Sequence, residues 1–310
     1  MALGHRLPAV TGSVAAAAVL GALLAGCSLQ APQAMEGKER EVEAHEELRA
    51  LLPAELRSES TRITVGTESN YPPFTYADET GRLVGAEIEL FDAASKRLGL
   101  KYTFQDTPWE TLVDKLYTSD FDVVAAAMTE TPDRLSVADF VDYYDDSDAI
   151  MVPAGNPEGI TDLAGLCGRK VAVLGGVGPG ARTSQQSALA ALNEADCRGR
   201  PITIMPFATD ADALTQVQAG GASAQLTQRS TGAYSAKLVG SGKAFEVGNP
   251  EIINPAPLGF MFLKGDVELV RAYQASMQSL IDDGTYARIL ERYDLSAGAM
   301  EEATVNGLLQ

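Results

Sequence analysis

From Arg62 onward, apolar and polar positions follow strand-like and helix-like periods in alternation. Short apolar runs predict strands over 63–65, 102–104, 121–127, 171–174, 202–205, 224–227 and 258–263. Between them, apolar residues that recur every three or four positions predict helices over 86–98, 109–117, 181–193, 210–218, 230–238, 267–281 and 286–293. Strands that alternate with helices at this spacing predict an α/β fold with mainly parallel sheets.

The pattern divides into two such α/β units, and the second starts near Leu163. Sheets of this kind place ligands at the carboxyl ends of their strands. Two units that face each other create a cleft, so a small ligand is expected between them.

The first 27 residues resemble an export signal. Arg6 supplies a basic start, and the apolar run over 14–24 is too short for a comfortable membrane span. This run ends in 24–27 (LAGC), which resembles the lipobox of bacterial lipoproteins and implies that Cys27 is diacylated. An ordinary secretory signal with a chance cysteine is the alternative. We therefore expect an extracytoplasmic protein with a lipid anchor to the cell membrane.

Residues 28–61 are predicted to form a tether with a short helix. The charge-rich part of this segment carries apolar residues at helical spacing, namely Val42, Leu48, Leu51 and Leu52, and Pro53 ends the pattern. A solvated linker that ends in a docked helical turn is the simplest interpretation, and a partner-binding helix is the alternative.

Charge and composition exclude several functions. With 24 basic and 42 acidic residues, the formal net charge is −18, so the surface repels nucleic acid. The two histidines, His5 and His45, both precede the predicted α/β body. The body therefore holds no histidine for a triad, a general base or a metal site. We expect no cofactor and no metal.

Two of the three cysteines remain once Cys27 is assigned to lipidation. An even pair in an oxidising compartment favours a disulfide between Cys167 and Cys197. A disulfide that closes a loop of this length stabilises the fold by roughly 3–4 kcal/mol. Two buried free thiols are the alternative.

Three segments, in this order and spacing, resemble family 3 of the extracellular solute-binding proteins, the polar amino-acid-binding type that serves ABC importers. They are 63–74 (ITVGTESNYPPF) with 85–90 (GAEIEL), 121–134 (FDVVAAAMTETPDR) continuing to Asp139-Phe140, and 281–286 (IDDGTY). The resemblance covers roughly residues 44–305.

The resemblance implies the two-lobe fold of type II periplasmic binding proteins, with the ligand cleft between the lobes. Lobe one is expected over 62–150 and 257–305, and lobe two over 155–253. Pro and Gly interrupt the pattern at the expected hinge crossings, 151–154 and 254–256. A monomer that delivers its ligand to a membrane permease is implied.

Arg134 and Thr129 are the first candidate ligand-binding residues. Both follow a buried-type strand and should stand at its carboxyl end. A guanidinium offers a planar fork of donors that binds a carboxylate bidentately. In the family, the matching arginine binds the ligand's α-carboxylate, and the residue that matches Thr129 adds a hydrogen bond. A surface arginine that caps a short helix is the alternative, although it would oppose the helix dipole.

The resemblance adds five further candidates. Tyr71 and Trp109 match aromatic positions that flank the ligand side chain in relatives; core packing is the alternative for both. Glu68 matches a polar or acidic position near the ligand's distal end, where a solvated loop glutamate is the alternative. Gly176 and Gly178 match a loop that offers backbone donors to the carboxylate.

Gln228 departs from the family pattern. In the amino-acid binders, a lobe-two strand ends in an Asp that pairs with the ligand's α-ammonium, and this chain has Gln228 there. A charge-assisted bond becomes a neutral one, which is roughly half as strong. The ligand lacks a free α-ammonium, another acid such as Glu68 compensates, or binding is weaker; these three explanations stay open.

The sequence favours capture without chemistry of a small carboxylate-bearing polar solute, such as an amino acid or an analogue. An exported dehydratase of the prephenate or arogenate type is one alternative, with Glu68 or Glu87 as its acid. A ligand-sensing lipoprotein that signals to a membrane receptor is the other.

Overall fold

The computed structural model describes residues 42–58, 60–175 and 182–309. The strands are β1 (Arg62–Thr67), β2 (Asn70–Tyr71), β3 (Thr75–Ala77), β4 (Leu83–Val84), β5 (Lys101–Asp106), β6 (Val123–Thr129), β7 (Ala138–Pro153), β8 (Lys170–Leu174), β9 (Thr203–Phe207), β10 (Ala224–Gln228), β11 (Phe245–Val247) and β12 (Ile253–Leu263). The α-helices are α1 (Glu46–Arg49), α2 (Ala86–Arg97), α3 (Trp109–Tyr117), α4 (Pro132–Leu135), α5 (Ser184–Ala195), α6 (Asp210–Gln218), α7 (Arg229–Leu238), α8 (Val267–Asp282) and α9 (Thr285–Arg292).

The main sheet has the strand order β5-β1-β6-β12-β7-β10-β8-β9, and β11 also pairs with β7. Strands β5, β1 and β6 run parallel at one end, and β10, β8 and β9 run parallel at the other. The antiparallel strands β12 and β7 join the two parallel sets. The predicted α/β architecture is confirmed, with an antiparallel centre that the sequence did not predict.

Strand β6 shows how the helices are layered on the sheet. Successive side chains of a strand point to opposite faces, so Val123 and Ala125 enter one core while Val124 and Ala126 enter another. Helix α2 covers the first face and α3 covers the second. The strand is therefore buried on both sides, and its carboxyl end emerges between the two layers.

Strand β7 links the two parallel sets. It pairs with β12 from Ala138 to Asp148 and with β10 from Asp148 to Met151. Its pairing partners therefore change near Asp148, before the predicted crossing at 151–154. At that crossing, β7 is already paired with β10 and β11. The second predicted crossing falls where the β12 register shifts and Asn254 has a positive φ of 46°. The residue boundaries of the lobes stay a prediction.

The end of the predicted tether packs against the core that contains α2. Leu52 is fully buried in the same core as α2, and the His45 amide donates to the Arg97 carbonyl. Leu51, predicted on the apolar face, is 42 % exposed. That part of the prediction is wrong because α1 ends at Arg49 and the following turn directs only one of the two leucines inward.

Cys167 and Cys197 form a disulfide, with their Cα atoms 5.2 Å apart. This predicted pairing is confirmed. Cys27, Gly176 and Gly178 lie outside the described residues. Across the segments that the structure describes, no helix is both long and apolar enough to cross a membrane.

Candidate functional site

Arg134 lies in the short helix α4, directly beyond the carboxyl end of β6. The Thr131 side chain caps this helix by accepting from the Arg134 amide. The guanidinium donates through Nη1 to the Thr129 carbonyl at 2.7 Å and lies 5.4 Å from the centre of the Trp109 ring. Burial lowers the pKa of Arg134 to about 10. Among the described residues, no carboxylate is within salt-bridge distance of this cation, which leaves donors for an anionic ligand.

Gln228 connects the two predicted lobes at the same place. Its Oε1 accepts from the Tyr71 hydroxyl at 2.5 Å, and its Nε2 donates to Thr129 Oγ1 at 2.8 Å. Burial and the Asp210 carboxylate raise the pKa of Tyr71 well above its ordinary value, so the hydroxyl stays a donor. Tyr71, Thr129 and Gln228 are therefore brought together, although more than 150 positions separate the first from the last.

A cavity of about 30 Å³ lies between these side chains. It is lined by Tyr71, Trp109, Ala127, Thr129, Arg134, Leu174, Thr183, Ser184, Gln185 and Gln228. This volume is far below the roughly 300–1,000 Å³ of typical ligand pockets, so an amino acid enters only when the lobes separate or side chains move.

The start of α5 belongs to this site and was missed, because the sequence pattern predicted the helix from 181. Thr183 is its N-cap and makes a capping box with Gln186. The Thr-x-x-Gln spacing was the available signal for this start. Helix N-termini favour anions, so Thr183 and Ser184 suit a ligand carboxylate from the lobe-two side.

A second cavity of about 130 Å³ adjoins the first and shares Thr129, Ser184, Gln185 and Gln228 with it. Its remaining lining residues are Glu130, Asp146, Ser147, Asp148, Ala188, Asn254, Pro255 and Ala256. The space around Gln228 is therefore rich in carboxylates on the side away from Arg134.

Glu68 follows β1 and faces other acids, and it does not line either cavity. Burial first, and then the carboxylates of Asp106, Glu110 and Asp210, raise the pKa of Glu68 to about 7. Asp210 Oδ1 accepts from Thr227 Oγ1 at 2.7 Å, whereas its buried Oδ2 has no hydrogen-bond partner in the described part of the chain. The mutual repulsion of these acids suits a cationic group placed among them.

Five of the predicted ligand residues thus meet at one place: Arg134, Thr129, Tyr71, Trp109 and Gln228. Glu68 stands apart from this group, and the two glycines are outside the described residues. The roles of all eight residues in ligand binding stay predictions. Within residues 42–58, 60–175 and 182–309, no group of acidic, histidine or cysteine side chains is arranged to hold a metal ion.

Residues 63–296 match the bacterial extracellular solute-binding proteins, family 3. The arginine-binding protein ArgT of Corynebacterium glutamicum is 29 % identical over 261 residues, which covers 84 % of this chain and 83 % of that protein. The L-cystine-binding protein TcyA of Bacillus subtilis is 31 % identical over 235 residues, covering 74 % of this chain and 80 % of the relative.

Solved structures show the same likeness. An ancestral arginine-binding protein bound to arginine is 29 % identical with a TM-score of 0.65, covering 76 % of this chain and 99 % of that one. The ancestral amino acid-binding protein AncCDT-1, described as a precursor of cyclohexadienyl dehydratase, is 32 % identical with a TM-score of 0.64, covering 75 % and 95 %. The predicted two-lobe α/β fold is thereby confirmed.

Proposed function

Because the chain belongs to family 3 of the bacterial extracellular solute-binding proteins, we propose that the amino acid it captures for an ABC importer is a basic one of the arginine type. The observation that carries the capture of an amino acid is the buried guanidinium of Arg134, which has no carboxylate partner among the described residues. It suits the ligand's α-carboxylate, with Thr129 and the start of α5 as further donors.

The basic side chain is proposed to extend toward Glu68. This glutamate lies in a group of carboxylates, and burial first, then the charges of Asp106, Glu110 and Asp210, raise its pKa. A guanidinium or ammonium among them relieves their repulsion and satisfies the buried Asp210 Oδ2. ArgT and the ancestral arginine-binding structure support a basic ligand, whereas TcyA supports a neutral one.

A thermal-shift screen of L-arginine, L-lysine, L-histidine, L-cystine and L-glutamine tests the ligand class. A ligand at 100 times its dissociation constant adds about 2.7 kcal/mol to the free energy of unfolding. We expect the basic amino acids to give the largest shifts. Glu68→Gln should reduce the shift with L-arginine, while the exposed control Glu79→Gln should leave it unchanged. A shift with L-cystine alone would contradict the basic ligand but not the capture of an amino acid.

The protein is further proposed to act without chemistry, as a monomer held at the membrane by lipid on Cys27. Cys27→Ala should release the protein from the membrane fraction, and continued membrane retention would contradict the anchor. The alternative function is a dehydratase, because AncCDT-1 is described as a precursor of cyclohexadienyl dehydratase. Formation of product from prephenate or arogenate by the purified protein would overturn the binding-only proposal.

A further inference from the structure

Asp148 is the cross-strand neighbour of Gln228. The antiparallel register of β7 and β10 pairs these two residues directly. Side chains of directly opposed residues lie on the same face of a sheet, with Cβ atoms about 4.5–5.5 Å apart. Both residues line the cavity of about 130 Å³ that adjoins the predicted ligand site, together with Thr129.

The Asp148 carboxylate is held by neutral groups. It is only 4 % exposed, its Oδ1 accepts from Gln185 Nε2 at 2.6 Å, and its Oδ2 accepts from Asn254 Nδ2 at 2.7 Å. No cation of the described residues lies within salt-bridge distance of it. Burial, opposed by these two donors, raises the pKa of Asp148 to about 6, so the group is mainly ionised at pH 7.

A buried carboxylate without a cation is unfavourable, and a cationic partner in the same cavity relieves that cost. Two oxygens offer about four acceptor positions, and the two amide donors occupy only two of them. Asp146 lines the same cavity but differs, because Ser230 Oγ and the Ser147 amide bind it and the charge of Arg229 acts on it. Glu130, the third acid that lines this cavity, shares a side-chain hydrogen bond with Asp142. Asp148 is therefore the acid in this cavity whose charge is left for a ligand.

We propose that Asp148 binds the α-ammonium of the captured amino acid and supplies the negative charge that Gln228 lacks. This assignment rests on the proposed function, since the ligand's carboxylate is taken to lie on Arg134. Thr129 contacts both Arg134 and Gln228, so a ligand whose carboxylate lies on the arginine presents its α-carbon toward Gln228. The ligand class is then a free α-amino acid, and compounds without an α-ammonium should bind more weakly.

Isothermal titration with L-arginine and with 5-guanidinopentanoic acid, the same molecule without its α-amino group, tests the assignment. The wild type should prefer L-arginine by about tenfold to a hundredfold, the worth of one hydrogen bond to a charged group. Asp148→Asn should bring this preference below about threefold, because its side chain is neutral. Asp148→Asn combined with Gln228→Asp should restore the preference, since it returns the charge one strand away.

Asp145→Asn is the matched control. Asp145 is on the same strand but exposed. It precedes Asp148 by three positions, and since successive side chains of a strand alternate between faces, the two lie on opposite faces. It should keep the full preference, and the melting temperature of each variant without ligand reports whether it is folded.

The possible outcomes separate the two proposals. A wild type that binds no L-amino acid overturns the proposed function and the ammonium site with it. A wild type that binds both compounds equally, or an Asp148→Asn variant that keeps the full preference, overturns the ammonium site alone. Loss in the single variant with recovery in the double variant supports it, and recovery also shows that the single variant did not fail through misfolding.

Discussion

Replacing Glu87 by Gln tests how a buried acid beneath the candidate site makes stability depend on pH. Glu87 lies on α2 and is fully buried, and its Oε2 accepts from the Ala127 amide at 2.6 Å. Ala127 lines the cavity of about 30 Å³. Burial, opposed by the hydrogen bond from Ala127, raises the pKa of Glu87 from 4.5 to about 8.

The sign and size of the effect follow from this difference. The folded protein keeps the proton up to about pH 8, while the unfolded chain releases it near pH 4.5. The stabilisation is therefore complete below pH 4.5 and is lost as the pH rises toward 8. When the folded state binds one proton more than the unfolded state, the free energy of unfolding falls by about 1.4 kcal/mol per pH unit. Between pH 4.5 and pH 7 this amounts to about 3 kcal/mol.

Urea unfolding at pH 5, 6, 7 and 8 measures this slope. Glutamine keeps the neutral form at every pH and an oxygen that accepts from the Ala127 amide. The wild type should therefore lose about 1.4 kcal/mol more per pH unit than Glu87→Gln between pH 5 and 7. The exposed control Glu79→Gln should follow the wild type. Equal slopes in the wild type and Glu87→Gln would show that Glu87 does not stay protonated in the folded protein.

Three further predictions concern the core, the disulfide and the site. Leu52→Ala should cost about 2–5 kcal/mol in urea unfolding because the side chain is fully buried, whereas Leu51→Ala should stay within about 0.5 kcal/mol; similar losses would contradict the docking of this segment. Replacing Cys167 and Cys197 by Ser should cost roughly 3–4 kcal/mol, and a melting temperature equal to that of the oxidised wild type would contradict it. Trp109 is the single tryptophan and lies at the site, so saturating L-arginine should change the emission spectrum, and an unchanged spectrum at saturation would argue against its place there.

Much of the fold was predictable because local patterns and packing agree. Helices α3 and α6 have the predicted bounds, and α6 begins after Thr209, whose side chain caps the helix by accepting from the Asp212 amide. Strand β7 was missed because its acids make it look like a polar loop. Several of those acids accept hydrogen bonds from residues distant in sequence; Thr304 donates to Asp142, for example, across 162 positions.

The candidate site was predictable where the family pattern marks single residues. Arg134, Thr129 and Gln228 were found in this way, and they do meet in space. The neighbours of Asp148 could not be found, because the β7–β10 register and the contacts of Gln185 and Asn254 exist only in the folded chain.

The proposed function depends most on Arg134, which is proposed to bind the ligand's carboxylate. Its most direct test is calorimetric titration of wild type and Arg134→Ala with L-arginine and with agmatine, which is arginine without the carboxylate. The exposed Arg62 provides the control variant Arg62→Ala. The wild type and the control should prefer L-arginine by about 2–5 kcal/mol, and Arg134→Ala should bind both compounds with nearly equal, weak affinity. A preference that survives in folded Arg134→Ala would contradict the account.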